Sequence, residues 1–391
     1  ERRRTLTGNA SSASGSTSHA TLGSPVTIGD LVLPNRIVMA PMTRYFSPNG
    51  VPGRDVAEYY ARRARAGVGL LITEGTYPPH PSAHAYENVP EFYGAAALDG
   101  WRSVLEEVRA AGGRIFPQLW HTGPVREAGM PPEPAVAGFG PSPGAGIATK
   151  VMSDRDIAEV IQAYVQSASD AKRMGFDGIE IHGAHGYLID SFFWDRTNRR
   201  TDMWGGDLVQ RARFAVEIVR AIRREVGGSF PISFRWSQFK QQDYRARLAD
   251  TPQQLEPFLQ ALADAGVTLF HASARRFWEP AFPDHSDLTL AGWTKKLSGC
   301  PAIAVGSVGL AGVAKASGPA EVPGGGMSFA GASVSDLQQF VELERRLERD
   351  EFDLIAVGRS LLADPEWAEK VLGGRFEDRI AFEKAQLKQL I

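Results

Sequence analysis

Short apolar runs along the chain alternate with longer stretches whose apolar residues recur every three or four positions. The runs at 36–44, 69–76, 114–120, 177–183, 231–237, 268–273, 301–306 and 353–358 are short and apolar, as the buried strands of a parallel sheet are. Between them, Val56, Tyr59, Tyr60 and Ala64 share one helical face. Phe214, Ile218, Ala221 and Ile222 share another, as do Leu255, Phe258, Leu259 and Leu262. Ser153 before one helical stretch and Thr251-Pro252 before another are start signals, while Pro257 predicts a kink inside the second.

Strands and helices alternating in this way form βα units on a parallel sheet, and eight strands close a barrel. The expected fold is therefore a single (β/α)8 TIM barrel over residues 25–391, preceded by a disordered tail at 1–24 that carries Arg2 to Arg4 and a Ser/Gly/Ala/Thr-rich run. Two Pro/Gly-rich segments interrupt the alternation. The one at 124–152 follows the third strand and reads as a long capping loop, and 310–332 is an insertion with no assignable role.

Barrels of this kind place their chemistry at the C-terminal strand ends. Those ends carry Thr43 and Tyr45, Glu74 and Gly75, Gln118 and Trp120, His182 and His185, Arg235, Gly306 and Ser307, then Gly358 and Arg359. The set is polar and aromatic and suits a flat aromatic cofactor. Within it, Ile-His-Gly-Ala-His-Gly-Tyr-Leu (181–188) brings two imidazoles and a phenol close together on one strand end. Neutral imidazoles polarise a carbonyl-like oxygen, and a phenol of pKa about 10 delivers a proton to carbon.

Other readings of these residues stand beside this one. Each His or Tyr alone reads more readily as a structural, packed residue than as a catalytic one. The His-x-x-His spacing is half a zinc site, but the other histidines (His19, His80, His84, His121, His271, His285) are scattered and Cys300 is the sole cysteine, so no metal is expected. Glu74 and Glu180 at strand positions admit a glycosidase pair. Glu180 lies one alternation before His182, however, and reads better as a buried network residue in a deeper layer.

Composition narrows the field. A net charge of −2 gives no pull toward nucleic acid or anionic membrane. One cysteine excludes an intramolecular disulfide framework and a four-thiolate iron–sulfur cluster within the chain. No run of about 18 apolar residues spans a bilayer, and the first residues lack a signal-peptide core, so the expected location is cytoplasmic.

Five motifs now fall in order along the strands: Ala-Pro-Met-Thr-Arg (40–44), Gln-Leu-Trp-His (118–121), the 181–188 segment, Thr-Asn-Arg-Arg-Thr-Asp-Met-Trp-Gly-Gly (197–206) and Val-Gly-Arg-Ser-Leu-Leu-Ala-Asp-Pro (357–365). Over about residues 25–375 the chain resembles the Old Yellow Enzyme family of flavin-dependent, 12-oxophytodienoate reductase-like ene-reductases. The resemblance implies noncovalent FMN, NADPH or NADH as hydride donor, and small electron-poor alkenes as substrates, with homo-oligomerisation left open. It implies that Ala40, Pro41, Met42, Thr43, Gly75, Gln118, His182, Arg235, Gly306, Ser307, Gly358 and Arg359 hold the flavin. Arg235 would sit by N1 and the C2 carbonyl, Gln118 at the N3–H edge, Thr43 at the C4 carbonyl, and the last four around the phosphate. His182 and His185 would bind the activating oxygen of the substrate and Tyr187 would protonate the α-carbon, with Tyr45, Trp120 and Trp278 lining the substrate side. Segment 198–206 reads as an ion-paired supporting turn. Trp194 and the run 275–278 read either as a roof over the flavin or as loop packing. A barrel flavoprotein of the demethylase or dienoyl-reductase type, and a redox-silent flavin binder, are the alternatives.

Overall fold

The computed structural model describes residues 20–144, 149–240, 243, 245–311, 333–334 and 337–391. Eight parallel strands form a closed barrel: β1 (Ile37–Met39), β2 (Leu70–Thr76), β3 (Ile115–Leu119), β4 (Ile179–Gly183), β5 (Ile232–Ser237), β6 (Leu269–Ser273), β7 (Ala302–Val305) and β8 (Leu354–Val357). Each falls inside an expected run. The first is the most shortened, because Pro41 has no N–H to give the ladder; the last tie is Ala40 N–H donating to the Val357 carbonyl at 2.9 Å.

Helices α1 (Arg54–Arg65), α2 (Ala95–Ala110), α3 (Asp154–Met174), α4 (Arg213–Val226), α5 (Pro252–Ala265), α6 (Leu290–Ser298), α7 (Leu337–Glu348) and α8 (Trp367–Leu372) surround it. Ser153 caps α3 in a reciprocal box with Asp156, and Thr251 caps α5. The expected kink does not interrupt α5, which runs as one element through Pro257 on its exposed side. No helix among the described residues is long and apolar enough to cross a membrane.

Alternation along the strands sorts the core into two. Ile37, Met39, Leu71, Ile115, Ile179, Ile181, Ile232, Phe234, Trp236, Phe270 and Ile355 join the large cluster shared with the helices. Val38, Leu70, Ile72, Phe116, Leu269, Ile303 and Leu354 form a second, smaller cluster, which is the barrel interior near the strand starts. A hairpin that the sequence pattern did not announce, Val26–Ile28 paired with Leu31–Leu33, adds Ile28 and Leu33 to that interior cluster and plugs the N-terminal end of the barrel.

Segment 124–152 is partly structured. A helical turn at Gly123–Val125 leads to Gly138–Gly140, which pairs in parallel with Thr149–Val151. The 312–332 part of the insertion and the 1–19 part of the tail lie outside the described residues, and the insertion's flanks Leu310–Ala311 and Ser333–Val334 pair antiparallel. The expected supporting turn is present: Arg200 pairs with Asp202, and the Asn198 amide donates to the Phe192 and Trp204 carbonyls, both at 2.8 Å.

Phe116 is fully buried in the interior cluster. Phe116→Ala is expected to cost about 3–5 kcal/mol, read as a lower midpoint of chemical denaturation at unchanged slope.

Candidate active site

The parity that puts Phe116 inside also puts Gln118 inside, and likewise Glu180 and His182 on β4, Ser233 and Arg235 on β5, and His271 and Ser273 on β6. The apolar floor therefore gives way to a polar layer. Glu180, fully buried, accepts from Gln118 Nε2 at 2.8 Å and Ser233 Oγ at 2.9 Å, and sits 2.8 Å from His271 Nδ1. Burial works against its charge, but the His271 ring, the Arg235 guanidinium and the Ser233 hydroxyl outweigh it and hold the carboxyl below the usual range. The sequence reading of Glu180 as a network residue holds, and a carboxylate engaged on three sides has no place in a glycosidase pair.

One layer higher, Arg235 stands beside His182 and His271 in the strand register. It is 9% exposed, and among the described residues its Nε has no partner and its hydrogen bond is a long 3.4 Å contact to Ser273 Oγ. A buried guanidinium with donors to spare fits an acceptor-rich or anionic group above it.

The loop after β4 carries the imidazoles and the phenol. His182 Nδ1 accepts from the Ala184 N–H at 3.4 Å, which leaves its Nε2 as the outward donor. Burial and then Arg235 push its pKa down to about 3. His185 takes a left-handed φ of 65°; its N–H donates to Ser237 Oγ at 3.3 Å and its Nε2 lies 2.8 Å from Ser273 Oγ. Burial likewise holds it well below the ordinary histidine range. Both rings are therefore neutral at pH 7, with centroids 5.3 Å apart. The Tyr187 ring meets His182 edge-on at 5.1 Å and Trp120 at 4.9 Å. Burial, then the neighbouring phenols Tyr86, Tyr45 and Tyr77, raise its pKa well above 10, so it stays protonated.

An aromatic wall closes one side. Trp120 stacks with Tyr77 at 5.5 Å and Tyr86 at 5.9 Å, and Tyr86 meets Tyr45 edge-on at 6.3 Å. Gly75 makes room for it, since a Cβ there would lie 2.5 Å from Trp120 Cε3. Tyr45 is 40% exposed and left-handed at φ 63°. It follows Thr43 on a loop held from below by Glu74, whose Oε2 accepts the Arg44 N–H at 2.9 Å and whose pKa burial raises to about 7.

Opposite, Gly306 (φ 142°) runs so close to the next loop that a Cβ would lie 2.6 Å from the Ala274 carbonyl. Ser307 Oγ donates to the Arg275 carbonyl, and Ser360 Oγ to the Val308 carbonyl, which binds the β7 and β8 loops together. Gly358 opens the helical turn Arg359–Ala363 with Met42 Sδ and Ala40 Cβ facing its open side, so the 40–42 backbone joins this group. Burial lowers the pKa of Arg359.

The two aromatic residues read either as a roof or as packing both make packing contacts. Trp194 is buried with Nε1 donating to Asp190 at 3.0 Å and Lys240 over its ring. Trp278 packs edge-on against Phe277 and the main core, its carbonyl held by Arg346, instead of joining the Trp120–Tyr187 cluster. Four residues escaped sequence reading: Ser237, Ser273, Tyr86 and Asp190. Ser273 ends β6 and falls under the same strand-end rule as the others; Tyr86 and Asp190 have no signal short of the fold. Among the described residues no group of three or more His, Cys, Asp or Glu is placed to hold a metal ion.

A family model described as NADH:flavin oxidoreductase / NADH oxidase matches residues 21–317. An NADH oxidase from Thermoanaerobacter brockii is 34% identical over 358 residues, covering 89% of this chain and 50% of that protein. The 12-oxophytodienoate reductase 7 of Oryza sativa subsp. japonica is 40% identical over 223 residues, covering 53% of this chain and 56% of that protein. The chain spans about half the length of these two relatives. Among solved structures, morphinone reductase in complex with tetrahydroNAD superposes with a TM-score of 0.74 at 26% identity, over 94% of this chain and 93% of that one.

Because Glu180 is charged below its ordinary range in the folded state, its stabilisation is present above the unfolded carboxylate pKa and is lost as pH falls through the lowered value. Glu180→Gln is expected to destabilise by about 2–4 kcal/mol at pH 7, with the gap to wild type closing in strongly acidic buffer. Denaturation midpoints measured across pH check this, and a gap independent of pH counts against a charged Glu180.

Proposed function

From the premise that the chain belongs to the NADH:flavin oxidoreductase / NADH oxidase family, the Old Yellow Enzyme-like family of its motifs and an FMN-dependent group of oxidoreductases, we propose that it is an NAD(P)H-dependent reductase of activated alkenes. Its substrates on this reading are α,β-unsaturated carbonyl or nitro compounds, reduced in a ping-pong cycle. The observation that carries the reading is the convergence of two neutral imidazoles and a protonated phenol beside an underused buried guanidinium.

The residues fit the cofactor. Arg235 has a buried Nε free to meet the N1 and C2-carbonyl edge of FMN. The Gln118 amide, oriented by its bond to Glu180, presents its oxygen and second N–H to the N3 edge. Thr43 would serve the C4 carbonyl, the 40–42 backbone would border the ring, and Gly306, Ser307, Gly358 and Arg359 would take the phosphate, while Gly75, also expected at the ring, gives the space of its missing side chain to Trp120. The chemistry that bound FMN supplies is hydride transfer, first from NAD(P)H and then to the β-carbon of the alkene.

The rest falls to the chain. His182 Nε2–H donates to the activating oxygen of the substrate, and His185 exchanges the Ser273 hydroxyl for that same oxygen. Trp120, Tyr86 and Tyr45 flank a planar substrate. Tyr187 O–H delivers the proton to the α-carbon as electron density leaves the enol oxygen, so hydride and proton together saturate the double bond. Solvent then returns a proton to the phenolate.

The purified protein should be yellow and bleach anaerobically with NADPH or NADH, regaining colour with 2-cyclohexenone. A colourless protein that FMN cannot reconstitute overturns the assignment. Arg235→Ala should weaken FMN retention or slow reduction by the nicotinamide, with the loss of a charge-assisted contact of about 1.5–3 kcal/mol.

Tyr187→Phe keeps the ring and removes only the proton. In stopped flow it should leave reduction by NAD(P)H nearly unchanged and slow reoxidation by the enone by about 10²-fold or more. A nitroalkene, whose nitronate is protonated in solution, should suffer much less. Equal losses in both half-reactions remove Tyr187 from the mechanism.

A further inference from the structure

Between the oxygen-binding His185 and the phenol Tyr187 stands a single residue, Gly186. Both His185 and Gly186 have left-handed φ values, 65° and 86°. Two such residues in succession make a tight turn that its own closing bond, the Tyr187 N–H to the Ala184 carbonyl at 3.4 Å, holds only weakly, although histidine is among the side chains that tolerate the left-handed basin. Backbone hydrogen bonds must hold it. The His185 N–H has Ser237 Oγ, and the Gly186 N–H has the Asp190 carboxyl, at 2.7 Å.

Asp190 lies in the helical turn Leu188–Phe193 and is fully buried. One oxygen, Oδ2, takes both the Gly186 N–H and the Trp194 indole N–H at 3.0 Å, while Oδ1 has no partner among the described residues. No step of the reaction proposed above uses this carboxyl.

We propose that Asp190 is the positioning residue of the proton-donor loop, fixing the Gly186 amide and through it the placement of Tyr187 relative to His185. The proposal rests on the ene-reductase reading for its catalytic consequence. Tyr187 N-caps the same turn that carries Asp190, and its carbonyl accepts the Ser191 N–H at 2.8 Å. The clamp therefore closes a small ring of backbone whose two sides carry the oxygen-binding and the proton-donating side chains. Removing the carboxyl frees both the phenol and the imidazole to drift, and drifts of about 1 Å suffice to cost about 10²-fold in rate.

Burial raises the Asp190 pKa to about 7, against the bonds from Gly186 and Trp194 and the charge of Lys240. Lys240, from the loop after β5, lies over the Trp194 ring and itself faces Asp195, Arg196 and Asp243. The other groups packed around the turn are Arg211, which donates to the Phe193 carbonyl, and His121 and His185, both kept neutral by burial. With those rings neutral, the carboxyl is, of the groups named on this turn, the one that changes charge near neutrality; Glu74, also raised to about 7, lies under the Tyr45 loop and is untouched in the Asp190 variants. Above pH 7 the clamp is a charge-assisted acceptor, and below it a weaker neutral one.

Two measurements on the FMN-loaded full chain test this. The first is hydrogen exchange at the Gly186 amide. Asp190→Ala should speed it by about tenfold or more, whereas Asp190→Asn, whose amide oxygen still accepts, should leave it near wild type. The second is the pH dependence of the two half-reactions. In wild type, reoxidation by the enone should rise through an inflection near pH 7 that reduction by NADPH lacks, and Asp190→Asn should abolish that inflection.

Unchanged exchange in Asp190→Ala overturns the clamp, as does an inflection that survives in Asp190→Asn. A merely structural Asp190 would slow both half-reactions alike and leave the inflection in place. If the wild type reduces no enone at all, the functional reading fails while the exchange measurement still decides the clamp. If Asp190→Ala does not fold, Asp190→Asn and the wild-type pH profile suffice.

Discussion

One buried carboxylate organises the upper half of the barrel. Glu180 reaches β3 through Gln118, β5 through Ser233 and β6 through His271, and it compensates the charge of Arg235 one layer above. Without that negative charge a guanidinium with a bare Nε would be untenable in the interior, because an unpaired buried ion costs several kcal/mol. With it, Arg235 remains cationic and incompletely bonded, which is the condition a binding residue needs and a structural one avoids. The electrostatics of the site are therefore laid down beneath it, out of reach of any ligand.

The same logic recurs at the rim. Glu74 and Asp190 are both fully buried, both pushed up to about 7 by burial, and both spend an oxygen on a backbone N–H next to a left-handed residue, Tyr45 in one case and His185 in the other. Side chains aimed at a common point from two strand ends require backbone bent out of its ordinary basins. The bends are held by acceptors rooted in the core. Ser237 and Ser273 do the same for His185 with hydroxyls, so the loop after β4 is fixed by β5 and β6 as much as by its own strand.

Much of this was legible in the chain. Eight apolar runs became eight strands because parallel strands, buried on both faces, carry an uninterrupted apolar signal. The strand-end rule pointed to Gln118, His182, His185 and Arg235 and the 181–188 motif to Tyr187, residues that the fold brings together, and alternation placed Glu180 in the layer below. Other features were silent for stated reasons. The plug hairpin Val26–Ile28 and Leu31–Leu33 is too short for its period to register. Tyr86 reaches Trp120 from a loop, and Asp190 looks like any polar residue on a helical turn until the turn is seen to be buried on all sides. Aromatic bulk left two readings open, roof or packing, because an indole packs wherever apolar surface is open: Trp194 hydrogen-bonds Asp190 inside the core, and Trp278, half-buried, packs edge-on against Phe277.

The plug has an effect at the opposite end of the molecule. Ile28 and Leu33 cap the bottom of an interior that Phe116 and its neighbours fill, so the apolar end of the barrel is closed and the polar layer lies toward the other end. On the reading proposed above, the nicotinamide and the alkene would both approach from the polar end, at the C-terminal strand ends. Sharing that approach they would take turns, and the hairpin, far from every reacting atom, would help to keep the traffic on one side.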